Sequence, residues 1–382
     1  MLILGFGAFL LFGCQLVMIG AYQPQLAAGL GIGLRETGML GATIVAGIGI
    51  GVVSAGPFVD RMSGRLLFAA SAIVTAVALL TVGSDMSFAR ATMHLFFAGF
   101  GAGFYETVLN TGVVTRYGED SVKRLAFVHS AATVGGMLAP LAIVAWVARG
   151  GDFVEGFRAL GALHVGVAVW GLRGGVFPEP HTITHAGATD VRMRDWATRP
   201  AIIALFAASF FYVGGETALT LFVVPYAEEV LGLGADRGRT AISAFWMGLL
   251  LMRIIVMLAP RPAGAAMVFW SSSAGTVVLA ACLLLRLPAI ELVLGSVGLA
   301  MGALFPLFVA LSGQVVPEAR GSAVAVVAGL GAAGGFVLPW GLGIVGDARG
   351  PTAVMAGVVV SCAVAAGAGL VLMRAMRPAT RT

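Results

Sequence analysis

Charge is what this sequence has least of. Only 11% of its 382 residues are Asp, Glu, Lys or Arg, against about 25% in soluble domains. Lysine is almost missing, with Lys123 standing alone. Hydrophobic residues make up 59% of the chain and the mean hydropathy is +0.98. No water-soluble fold hides that much apolar surface, so lipid is the expected solvent. Cysteine is limited to Cys14, Cys282 and Cys362, each inside an apolar run, which excludes a disulfide framework. No Gly-rich loop ending in Gly-Lys-Ser/Thr occurs, which excludes the usual nucleotide-driven class. The five histidines show no metal-ligand spacing beyond His181-x-x-x-His185, so no metal and no cofactor is expected. No nucleophile–base constellation points to an enzyme. The net charge of +5 comes from arginines in loops and does not imply nucleic acid. The first charged residue is Arg35, so the opening apolar run lacks the basic start of a secretory signal and is kept as a membrane helix.

What is present is a series of long apolar runs. A spanning helix needs about 20 mostly apolar residues, and the runs are unbroken rather than alternating, which excludes a β-barrel. Twelve runs can be drawn, from Leu2–Leu26 through Ala91–Val114, Leu125–Ala148, Ala201–Tyr226 and Thr240–Leu258 to Ser322–Ile344 and Thr352–Met373. The expected fold is an all-α membrane protein of twelve transmembrane helices in two pseudo-symmetric six-helix bundles. Residues 1–172 would form one bundle, 201–382 the other, and the polar stretch 173–200 a cytoplasmic linker. With both termini in the cytoplasm, 14 basic residues fall on the inner side and 8 on the outer, with Arg253 left inside a helix. The halves repeat. Gly99, Gly103, Gly135, Gly136 and Pro140 match Gly298, Gly302, Gly334, Gly335 and Pro339 at an offset of 199 residues. Such a parallel repeat suits two halves rocking about a central site.

Three motifs carry chemistry. The first is Gly56-Pro57-Phe58-Val59-Asp60-Arg61-Met62-Ser63-Gly64-Arg65, between the second and third runs. It resembles the loop signature of the major facilitator superfamily. The resemblance covers nearly the whole chain and implies secondary transport. It also implies a gating role for Asp60, Arg61, Gly64 and Arg65, with Asp60 latching the cytoplasmic gate on a helix N-terminus near Ser322. The second motif, in the fourth run, is Gly101-Ala102-Gly103-Phe104-Tyr105-Glu106-Thr107-Val108-Leu109-Asn110. A charged carboxylate at the depth of Glu106 costs at least about 2.5 kcal/mol unless paired or hydrated, and Asn110 shares its helix face. Glu106 is either a functional acid or one bonded to a neighbouring helix. The third motif is Tyr212-Val213-Gly214-Gly215-Glu216-Thr217 in the seventh run. Glu216 lies at a depth close to that of Arg253, so the two could pair, as a structural lock or within a substrate site.

With His129 at the start of the fifth run, the second and third motifs resemble the fucose–galactose–glucose proton symporters. The resemblance implies that Glu106 binds substrate and couples the proton, and that His129, Tyr212 and Glu216 contribute to the site. His129 could equally be hydrogen-bonded at the rim. Two departures stand out. The sugar symporters carry an Asp in the first helix, where this chain has Gln15 and Gln23. Drug–proton antiporters carry an Arg in the fourth helix at the position of Leu95. The expected substrate-binding set is Gln15, Glu106, Asn110, His129, Tyr212, Glu216 and Trp340, although Trp340 near a helix end also suits an interfacial anchor. The expected function is proton-coupled movement of a small polar solute, a sugar first, across an inner membrane; the alternative is efflux of a drug-like or amphipathic metabolite. The expected partners are that small molecule, a proton or another cation, and the bilayer, with the chain a monomer.

Overall fold

A computed structural model describes residues 1–59, 61–177, 193–259 and 264–376. The described residues are almost wholly helical, with no strand among them. The first set of helices is α1 (Leu2–Ala21), α2 (Gln23–Leu30), α3 (Leu34–Val59), α4 (Gly64–Leu80), α5 (Phe88–Tyr117), α6 (Ser121–Val147) and α7 (Phe153–Gly171). The second is α8 (Pro200–Pro225), α9 (Ala235–Leu258), α10 (Ala265–Leu285), α11 (Ile290–Met301), α12 (Leu304–Val315), α13 (Arg320–Arg349) and α14 (Pro351–Ala375). Ten stretches are long and apolar enough to cross a membrane. Twelve is reached only by adding α4, apolar but 17 residues long, and α5, which is 30 residues long but carries Arg90, Glu106 and Arg116.

Local sequence explains the joints. Asp152 and Glu155 form a reciprocal capping box at the start of α7, satisfying two backbone donors. Tyr22 ends α1, and Pro24 in the first turn of α2 suits a restart because that position needs no N–H. The break between α11 and α12 follows from Pro306. Its missing N–H would have donated to the Gly302 carbonyl, four residues earlier. That carbonyl instead accepts from Arg253 Nε on α9 at 3.0 Å.

The glycine repeat read from sequence is present in the packing. A methyl group at Gly135 on α6 would stand 2.0 Å from the Leu10 carbonyl oxygen on α1; one at Gly334 on α13 would stand 2.0 Å from that of Phe210 on α8. Gly99 on α5 meets the Ile44 carbonyl of α3, and Gly298 on α11 meets the Phe245 carbonyl of α9. Glycines 199 residues apart thus face backbones 200 or 201 residues apart. Small residues let membrane helices approach to backbone contact, so the same spacing in both sequence halves builds the same helix pairs.

The first set of helices meets the second through α3 with α13, α6 with α9, and α1 with α8. Four side-chain hydrogen bonds join the sets among the described residues. The backbone N–H of Arg35, in the first turn of α3, donates to Asp347 Oδ1 on α13 at 3.1 Å. Arg239 of α9 is 2% exposed and donates to the Ala21 carbonyl at the end of α1 and to Gln25 Oε1, both at 2.8 Å. Arg253 donates to the Thr133 hydroxyl of α6. The first three lie at the end of the bundle away from the N-terminus, and the Arg253 contact lies furthest from that end. Among the described residues, no side-chain hydrogen bond joins the sets nearer the terminus end.

Candidate functional site

Below these contacts, a small cavity of about 50 Å³ is lined by Leu16, Ile19, Gly41, Ile44, Val45, Glu216, Thr217, Thr220, Leu221 and Trp246. It lies where α1 and α3 meet α8 and α9, with room for a few waters. Glu216, Thr217 and Thr220 reach it because spacings of three and four residues share one helix face. Thr217 returns its hydroxyl hydrogen to the Val213 carbonyl at 2.8 Å. Thr220 and Trp246 are each 6% exposed, and neither the Thr220 hydroxyl nor the Trp246 indole N–H has a hydrogen-bond partner. Buried polar groups are nearly always hydrogen-bonded, and these two are exceptions whose polar atoms have no surface open to the cavity.

Behind Glu216 a smaller apolar pocket runs into the second set of helices, lined by Tyr212, Phe245, Leu279, Val297, Met301 and Cys362 among others. The Tyr212 hydroxyl is buried one turn from the Glu216 carboxylate on α8. The expected Glu216–Arg253 ion pair does not form. Arg253 is committed to Gly302 and Thr133, because the proline break in α11–α12 leaves a carbonyl that must be satisfied.

A second polar group lies on α5 and α6. His129 Nε2 and Asn110 Oδ1 are 2.9 Å apart. The Phe9 ring packs on the His129 imidazole with centroids 4.2 Å apart, which fixes the ring from the α1 side. Glu106, one turn along α5 from Asn110, is half-buried and makes no side-chain hydrogen bond among the described residues. The expected residues therefore fall into two groups, Glu106–Asn110–His129 and Tyr212–Glu216, and only Glu216 lies on the wall of the larger cavity. Gln15 on α1 is 1% exposed with both amide atoms unpartnered, one turn below Ile19, which does line the cavity. Trp340 lines neither pocket; it is 39% exposed and packs beside Phe336. Arg61 and Arg65 are exposed and Gly64 opens α4, while Asp60, His181 and His185 lie outside the described residues.

Thr217, Thr220 and Trp246 were not singled out by sequence reasoning. A signal for them existed in the repeat: at an offset of 201 they align with Leu16, Ile19 and Val45, all of which line the same cavity. At the same offset Glu216 aligns with Gln15.

Solved structures share this fold along nearly their whole length. The chain superposes on the nucleoside transporter NupG, in a mutant form, with a TM-score of 0.77, 14% identity and 98% of each chain covered. A D-xylose-proton symporter gives 0.77 at 16% identity, covering 100% of this chain and 98% of the other. A bacterial homolog of the human lysosomal transporter Spinster, inward-facing and unoccupied, gives 0.77 at 15% identity, covering 99% and 98%. A search of curated proteins by sequence returns no match. The family model described as Major Facilitator Superfamily matches residues 4–339, so the chain belongs to that superfamily and is a transporter rather than an enzyme.

Proposed function

We propose that this transporter moves a neutral, hydroxyl-bearing solute, a sugar first, across an inner membrane by alternating access, with a proton carried at Glu106. Residues 1–172 and 201–382 act as two six-helix bundles, twelve helices in all, rocking about the cavity; residues 173–200 link them, and both termini are cytoplasmic. The observation that carries the reading is the cavity wall of Thr217, Thr220 and Trp246. Hydroxyls and an indole N–H suit directional bonds to a neutral polar solute, and a site built that way rejects analogues lacking the matching group. Similarity to a D-xylose-proton symporter and a nucleoside transporter supports the same solute class. Glu106, a half-buried acid with no side-chain hydrogen bond among the described residues, supports the coupling role.

The apolar residues Leu16, Ile19, Ile44, Val45 and Leu221 in the same cavity favour one competing reading, proton-coupled efflux of an amphipathic compound. The two separate in proteoliposomes with an imposed pH gradient. Accumulation of a radiolabelled pentose, hexose or nucleoside that collapses with a protonophore is the expected result. Saturable binding of tetraphenylphosphonium with no response to any sugar or nucleoside would make efflux the better reading.

A further inference from the structure

Three side chains of α9 reach the first set of helices at even spacing along one face. Arg239 donates to the Ala21 carbonyl and to Gln25 Oε1, at the joint between α1 and α2. The Trp246 ring lies against Gly136 of α6, where an added methyl would stand 2.4 Å from it. Arg253 donates to the Thr133 hydroxyl of α6. Steps of seven residues keep one helix face toward a partner, so the three form a single seam. At an offset of 201 the same positions on α3 hold Gly38, Val45 and Val52. Gly38 meets the Pro339 carbonyl of α13, and Val45 lies against Gly335. The α3–α13 seam has one side-chain hydrogen bond between the sets among the described residues, at the first turn of α3. One seam is therefore apolar along its middle, and its repeat counterpart is Arg–Trp–Arg.

The two arginines are held differently. Arg253 is anchored in its own set, through Nε to the Gly302 carbonyl at 3.0 Å. It reaches the other set with a second nitrogen, at a threonine that is fully buried. Thr133 is the thirteenth of the 27 residues of α6. Gly302 is the thirteenth of the 26 residues of the span Ile290–Val315. The contact therefore sits at mid-height. Arg239 lies four turns away on α9, roughly 21 Å along its axis. Its third partner is Asp236, one turn back on α9 itself, so that contact does not depend on the first set.

We propose that the Arg253–Thr133 bond is the fulcrum of rocking on the α6–α9 side, kept as the outer end opens, and that Arg239 is the latch that leaves the α1–α2 joint. The proposal rests on the reading of the two sets as rocking bodies; it adds where they turn and what holds them closed. The lever arm assigns the roles. A rotation of about 15°, the size of a subunit rotation, moves a point roughly 21 Å from the axis by roughly 5 Å. That exceeds hydrogen-bond reach, so Arg239 cannot stay on Ala21 and Gln25. A contact at the axis hardly moves. Arg239 departs with Asp236 still bound, and the freed Ala21 carbonyl and Gln25 amide meet water at the outer end. Across α3–α13 the matching mid-height seat is Val45 on Gly335, which turns without breaking a hydrogen bond.

The test is spin-label distances in the purified full-length protein in nanodiscs, which need no substrate, with Cys14, Cys282 and Cys362 replaced by serine. One label pair spans the outer ends of α6 and α9, and a second spans their inner ends. The third joins the exposed Leu138 and Leu251, near the fulcrum. R239Q removes the guanidinium. We expect it to raise the population with long outer distances at least about 10-fold, the size of a lost hydrogen bond to a charged group. The inner pair should shorten, and the Leu138 to Leu251 distance should stay unchanged. T133V keeps the shape and removes the hydroxyl, and should broaden the Leu138 to Leu251 distribution. Should R239Q fail to fold, Q25L removes one acceptor of Arg239 and decides by the same direction of shift. An unchanged outer pair overturns the latch. A Leu138 to Leu251 distance that lengthens with the outer pair, or one that T133V leaves unaltered, overturns the fulcrum. Outer opening without inner closing overturns the rocking reading and leaves the latch standing.

Discussion

Glu106 and its neighbours show how much a single residue can be asked to do. The carboxylate sits on α5 one turn from Asn110, and Asn110 is engaged by His129, so Glu106 is left without a side-chain hydrogen bond among the described residues. A charged acid inside a membrane helix is costly unless hydrated or paired, so in the proposed mechanism Glu106 exchanges its proton when the site opens to water. Glu106→Gln should abolish proton-driven accumulation and spare counterflow exchange. Transport assays in proteoliposomes with and without a pH gradient check this, and uphill uptake by the variant at the wild-type level would rule Glu106 out as the coupling acid. Asn110→Ala should act differently. It frees His129 from its partner while Phe9 still holds the ring, so the expected effect is an increase in KM of about 10-fold with coupling retained, the size of one lost hydrogen bond.

At the scale of elements, Arg253 and Pro306 form a unit. Proline opens the helix ladder at Gly302, and the guanidinium closes it from another helix. Arg253→Leu should lower stability by about 1–3 kcal/mol, the cost of leaving a buried carbonyl unsatisfied. Pro306→Ala restores an N–H four residues after Gly302 and should recover part of that loss in the Arg253→Leu background. Thermal unfolding of the four proteins of the cycle in detergent measures it; losses that simply add would show that the two residues act independently. The apolar runs, the proline positions and the glycine repeat that build these elements were legible in the chain, because membrane spans and close helix contacts impose strong local composition. The partner of Arg253 was not. Depth along a helix suggested Glu216, but which groups a long side chain reaches depends on how α9 is rotated against α6 and α11.

At the scale of the whole molecule, the outer contacts act on helix ends. Asp347 places a carboxylate on the first turn of α3, and Arg239 places a guanidinium on the last carbonyl of α1. Both match the sign of the helix dipole, worth about 0.3–2 kcal/mol each. Each joins the first set of helices to the second, so each favours the arrangement closed at the end away from the N-terminus, the outer end in the proposed orientation. Asp347→Asn should shift the population toward outer-open states by about fivefold, equivalent to ~1 kcal/mol. Spin-label distances between the outer ends of α3 and α13 report it, and an unchanged distance distribution would show that the contact does not hold the gate. The cytoplasmic counterpart suggested by Asp60 predicts the opposite shift for Asp60→Asn, read from labels at the inner ends.

Composition and the spacing of apolar residues, glycines and prolines were enough to determine a helical membrane protein with an internal repeat, because lipid forces every backbone polar group into helical bonds. An acid or amide inside an apolar run was enough to draw out Glu106, Asn110 and Glu216, and the symporter resemblance added His129. Which of these share a wall is a long-range matter. Only the packed helices joined Asn110 to His129, took Arg253 away from Glu216, set Trp340 outside the cavity and brought Thr220 and Trp246 into it. A tryptophan and a threonine in apolar helices look like ordinary packing residues. They stand out when the fold sets them on one cavity wall with aliphatic repeat partners on the other, a relation between residues 201 positions apart that no local stretch of sequence contains.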